Sequence, residues 1–73
     1  MAIYRFDPIE AVPGFKLRDG RFPADTLEEA VRKFSRKFDL EPPAYWDEPA
    51  YERIIELTFA AENGRTCRYR VIW

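Results

Sequence analysis

The sequence predicts an α+β domain, a small antiparallel sheet of three to four strands with one amphipathic helix packed across one face, in the order β-(β)-α-β-β. Three observations predict it. Residues 27–39 carry an apolar stripe at helical spacing. Two alternating stretches, 51–61 and 65–73, flank Glu62-Asn63-Gly64 and read as a long hairpin. A short aromatic and β-branched run opens the chain. A helix with one apolar stripe has to bury it on another layer, and a sheet with one apolar face supplies that layer.

Residues 2–6 (Ala-Ile-Tyr-Arg-Phe) form the first expected strand, with Tyr4 and Phe6 on one face and Ile3 and Arg5 on the other. Pro8 is expected to end it, since proline cannot donate to a central ladder. Residues 9–24 allow two readings. Phe15 to Arg18 and Arg21-Phe22 could flank an Asp19-Gly20 type I′ turn, with Leu17 opposite Phe22 and Pro23 keeping the second arm short. Alternatively the stretch is an irregular loop that plugs Phe15, Leu17 and Phe22 into the core.

The helix has a start signal, a stripe and a stop. Thr26 is the expected N-cap and Thr26-x-x-Glu29 a capping box. Leu27, Ala30, Val31, Phe34 and Phe38 recur at three- and four-residue spacing. Glu28–Arg32 and Glu29–Lys33 are i,i+4 pairs in the favourable order. Arg36 and Lys37 suit the negative end of the macrodipole, and Pro42-Pro43 enforces a stop. The basic face of Arg32, Lys33, Arg36 and Lys37 reads as a solvated helix surface.

Residues 41–50 hold three prolines, so they form neither helix nor central strand. This connector sets Tyr45 and Trp46 beside Asp47 and Glu48. The aromatics either fold back onto the core or stand out as contact anchors.

The hairpin register follows from alternation. Ile55, Leu57, Phe59 and Ala61 share one face, as do Cys67, Tyr69, Val71 and Trp73. A two-residue Asn-Gly loop would throw these sets onto opposite faces. A three-residue loop with Gly64 in the left-handed position of a G1 bulge pairs Phe59 with Cys67, Leu57 with Tyr69 and Ile55 with Val71. The solvent face then sets Glu56 by Arg70, Thr58 by Arg68 and Ile54 by Ile72.

Composition excludes several functions. Residues 1–73 fit one domain. Twelve aromatics supply the dense core that such a short chain needs. Histidine is absent, and serine and cysteine occur once each. That removes histidine acid–base chemistry, Ser-His and Cys-His nucleophiles, and Cys/His zinc sites. No metal, cofactor or catalytic residue is expected, and the protein is not expected to be an enzyme. Asp47 and Glu48 are adjacent, so on an extended segment they point apart and make no catalytic carboxylate pair. The three glycines are isolated, so no phosphate-binding loop exists. Cys67 reads as a small buried hydrophobe. A single cysteine and no visible leader point to a cytoplasmic setting, and no apolar run is long enough to span a membrane.

Charge is unevenly spread. Residues 40–62 carry six acids and one base, and residues 63–73 three bases and no acid, within a net charge of −1. That balance argues against direct nucleic-acid binding as the main role. The leading reading is a protein-binding module, with Tyr45, Trp46, Asp47 and Glu48 on the stiff connector and Arg68 and Arg70 on the open sheet face as partner-binding residues. The alternative is a small nucleic-acid-binding domain using that arginine face of the hairpin. Oligomeric state is left open.

In size and layout, a histidine-free chain of 73 residues that starts at Met1 and ends in a strand resembles small phage and mobile-element inhibitors of the anti-CRISPR type. Its Arg, Ala, Pro and Glu richness is similar to that of chains from high-GC bacteria and their phages. The resemblance implies an inhibitor that blocks a nuclease or surveillance complex by occluding its nucleic-acid-binding surface. Residues 41–62 would then be a local acidic patch against a basic channel. The resemblance carries no motif and transfers no site residues.

Overall fold

A computed structural model of the chain describes residues 1–10, 20–61 and 64–73. Within them the order is β1 (Ala2–Glu10), β2 (Arg21–Ala24), α1 (Leu27–Phe38), β3 (Ile54–Ala60) and β4 (Thr66–Ile72). The strands form one antiparallel sheet in the spatial order β2-β1-β4-β3, with α1 packed on one face, so the fold is α+β as expected.

The C-terminal hairpin has the expected register at every pair from Ile54↔Ile72 to Phe59↔Cys67. Its strands are shorter than the alternation suggests, and residues 51–53 precede β3. Gly64 takes φ 82°, and its N–H donates to the Ala61 carbonyl at 2.9 Å. The Ala61 N–H in turn donates to the Arg65 carbonyl at 2.7 Å, closing the loop. An L side chain at Gly64 would be strained by that φ alone.

β1 corrects one expectation, because it runs through Pro8 to Glu10. The first strand pairs with β2 only over Ala2–Arg5, while Arg5 to Glu10 pair with β4. Pro8 therefore lies beyond the β2 ladder, beside a register shift between Pro8 and Glu10, where a missing donor is tolerated. The proposed Asp19-Gly20 turn and the Leu17–Phe22 pairing lie outside the described residues. Arg21–Ala24, which includes Pro23, pairs with β1.

The helix starts where the capping box places it. Thr26 Oγ1 accepts from the Glu29 N–H at 3.1 Å, while Glu29 reaches back to the Asp25 N–H at 3.1 Å. Its end falls at Phe38, one residue earlier than expected. Asp39 adopts the left-handed conformation (φ 54°, ψ 49°) and donates its N–H to the Ser35 carbonyl. That turn brings Leu40 back into the core.

The core lies between α1 and the sheet, and Phe34 is at its centre. Its ring meets one aromatic from each strand: Phe6 stacked at 4.2 Å, Phe22 edge-on at 5.9 Å, Phe59 at 5.0 Å and Tyr69 edge-on at 4.9 Å. Leu27, Ala30 and Val31 complete the buried stripe, and Phe38 packs at its margin. Cys67 is buried as expected, and burial pushes its thiol pKa up, away from the reactive thiolate.

Tyr69 has a consequence at high pH. Its side chain is fully buried, and its hydroxyl has no well-formed hydrogen bond among the described residues, its polar neighbour being the weakly bonding Cys67 thiol. Burial, with a smaller contribution from the Cys67 thiol, pushes its pKa up to about 12 from 10.0. The fold favours the neutral phenol, so this contribution to stability is fully present below pH 10 and is lost as pH rises through about 12. Tyr69→Phe is expected to leave stability at pH 7 unchanged or raise it by up to about 1 kcal/mol. It should also shift alkaline unfolding, followed by circular dichroism, to higher pH. A variant destabilised by more than about 1 kcal/mol would show that the hydroxyl has a stabilising partner.

Candidate functional site

The path of the chain makes the site. Among the described residues β2 and β3 are the two outer strands, so α1 has to cross the sheet between them. After the helix, Glu41 forms a two-way backbone bridge with Ala60 at the far end of β3, with N–H···O distances of 2.7 and 2.9 Å. Residues 42–53 then return toward Ile54, where the Arg53 carbonyl accepts from the Trp73 N–H at 3.1 Å. The connector thus runs beside the outer edge of β3. Its prolines keep it extended, so it follows the edge without joining the ladder.

A groove of about 410 Å³ separates the two. Pro43, Tyr45, Trp46 and Asp47 line one side, and residues 55–58 of β3 the other. Trp46 is half-buried and packs against the core, anchoring the connector. Tyr45 is 76% exposed, and its hydroxyl donates to Asp47 Oδ1. That bond, ahead of burial, pushes the Tyr45 pKa up. One of the two aromatics therefore folds back while the other stands out.

Glu48 is exposed and outside the groove lining. Its charge acts on Tyr4, whose pKa is raised first by burial and then by Glu48. Arg68 and Arg70 sit on the open face of β4, one strand in from the groove. Arg70 reaches Glu56 at 3.4 Å, while half-buried Arg68 lies opposite Thr58. The structure therefore gathers Tyr45, Trp46 and Asp47 at one groove, connects Arg70 to it through Glu56, and sets Glu48 and Arg68 apart.

The open sheet face mixes both signs. Asp7, Arg70 and Glu56 follow one another across β1, β4 and β3, and Arg5 pairs with Asp7 at 3.1 Å. Among the described residues, no group of three His, Cys, Asp or Glu side chains could hold a metal ion, and no helix is long and apolar enough to cross a membrane.

Two features of the site escape the sequence reading. Glu56 and Thr58 read simply as solvent-face residues, yet they border the groove. The acidic run of residues 40–62 is the signal that could have joined Glu56 to Asp47. Tyr51, 97% exposed, alternates with Arg53 and Ile55 as though it were part of the hairpin. Because β3 starts only at Ile54, Tyr51 stays outside the sheet. Compared with protein-family models, curated proteins and solved structures, the chain matches none.

Proposed function

We propose that the protein is a protein-binding module whose connector docks on a basic surface of its partner. The observation that carries this reading is Tyr45, standing 76% exposed and held by Asp47 on a segment with three prolines. An aromatic anchor on a stiff support loses little entropy on docking. The surrounding acids suit a basic partner, because residues 40–62 carry six acids against one base. The finer form of the proposal is inhibition. A partner's nucleic-acid-binding surface is basic, and an acidic module seated on it would occlude it, as the anti-CRISPR resemblance implies.

Changing Asp47 and Glu48 together to Lys is the test. Both are exposed, so the thermal midpoint should move little, within about 1 kcal/mol of stability. Affinity capture from host lysate should retain a protein partner with the wild type and lose it with the double variant. The competing reading, nucleic acid on the open face, predicts a different pattern. Wild type would then bind single-stranded oligonucleotides with an affinity falling steeply with salt, and replacing Arg65, Arg68 and Arg70 by Gln would abolish it. That second pattern would overturn the proposal.

A further inference from the structure

The two outer edges of the sheet are built differently. At the β2 edge, the Phe6 N–H donates to the Gly20 carbonyl at 2.8 Å, so alternation turns the backbone groups of Arg21 and Pro23 outward. Pro23 has no N–H to offer there, and Lys33 Nζ donates to its carbonyl at 2.7 Å. Proline and lysine are the usual means by which an edge strand is closed to further pairing.

β3 itself, Ile54–Ala60, carries neither proline nor lysine, and among the described residues no lysine is bonded to its outer carbonyls. Ala60 turns both its N–H and C=O outward to Glu41. Alternate residues of an antiparallel strand point the same way, so Thr58, Glu56 and Ile54 also present their backbone groups outward. The Glu41 bridge is isolated and does not continue along these residues. Thr58 and Glu56 instead face the groove, whose opposite wall is the proline-stiffened connector.

Resting on the protein-binding reading above, we propose that this edge takes an extended, basic segment of the partner protein as a fifth strand, paired with Ile54, Glu56 and Thr58. Backbone hydrogen bonds supply the affinity of such strand addition, and side-chain charge supplies the selection. The groove wall carries Asp47, and Glu56 lies on the sheet side. A lysine or arginine opposite Glu56 makes a favourable cross-strand pair. A second copy of this chain is disfavoured as the occupant, because β3 against β3 would set one acidic stretch against another.

In the free protein, the Glu56 and Thr58 amides should exchange with solvent faster than those of Leu57 and Phe59, which point to β4. The probe is a short peptide of alternating valine and lysine, titrated into isotopically labelled protein and followed by amide chemical shifts and exchange. Because pairing is through backbone and charge, this peptide should protect the Glu56 and Thr58 amides at least tenfold. Its affinity should fall with salt, and the valine–glutamate version should not bind. Thr58→Pro removes one outward N–H while leaving the bonds to β4 intact, and proline is tolerated at such an edge position. It should preserve the thermal melt and abolish binding. If Thr58→Pro instead fails to fold, a valine–lysine peptide N-methylated at alternate residues replaces it and should not bind. Peptide shifts confined to the arginine face, or no binding at millimolar peptide, would overturn strand addition. The two readings separate cleanly. A partner lost on Asp47→Lys/Glu48→Lys but retained by Thr58→Pro would leave the connector as the docking site and refute the added strand.

Discussion

Phe34→Ala is expected to leave the protein at the margin of stability, with a sizeable unfolded population at room temperature and a sharply lowered thermal midpoint. The ring is fully buried and touches an aromatic from each of the four strands, with Phe6 stacked on it at 4.2 Å. Truncating a buried phenylalanine costs about 3–5 kcal/mol, because transfer free energy and a residual cavity add. Only roughly 5 kcal/mol separates the folded and unfolded states of such a short chain. Because the ring touches all four strands, collapse around the cavity would have to move every strand at once. Phe34→Leu fills much of the volume and should lose far less. Near-ultraviolet circular dichroism and thermal melts would read both variants. A Phe34→Ala melt within a few degrees of wild type would contradict the core described above.

Removing residues 71–73 is expected to be at least as damaging. Val71 is fully buried in β4, an inner strand of the sheet, and pairs with Phe6 on one side and Ile55 on the other. Trp73 stacks on Tyr4 at 5.3 Å and donates its N–H to the Arg53 carbonyl at 3.1 Å. The deletion opens both ladders beside β4 and removes two core groups, at a cost of several kcal/mol. Trp73→Ala alone keeps the ladder, and Trp73 is only half-buried, so it should cost about 1–3 kcal/mol and leave a folded, less stable protein. A truncated chain that retained a cooperative melt at the wild-type temperature would show that β4 is not an inner strand.

Much of this structure is legible in the residue order, and the legible parts share a property. The β3–β4 register needed only two alternating faces and one glycine able to adopt φ 82°. The helix start needed only Thr26 and Glu29, three residues apart. These signals act over a few residues, so they survive without knowledge of the remaining chain.

What tertiary structure alone decided involves residues far apart in sequence. Pro8 reads as a strand end until the β1–β2 ladder is seen to run only from Ala2 to Arg5, so that among the described residues Pro8 pairs with β4. Asp39 gives little sign that it will turn left-handed one residue before Leu40 enters the core. Trp46 and Tyr45 are neighbours of similar chemistry, and only the position of the core beneath the connector buries one and exposes the other. The order β2-β1-β4-β3 sets Phe6, Phe22, Phe59 and Tyr69 under a single ring on the helix, a juxtaposition of residues far apart in sequence. That order makes β3 an outer strand, and the Glu41 bridge to Ala60 then draws the connector beside it. Short-range hydrogen bonding and periodicity therefore set the elements, whereas the burial of side chains distant in sequence set their arrangement and, with it, the groove.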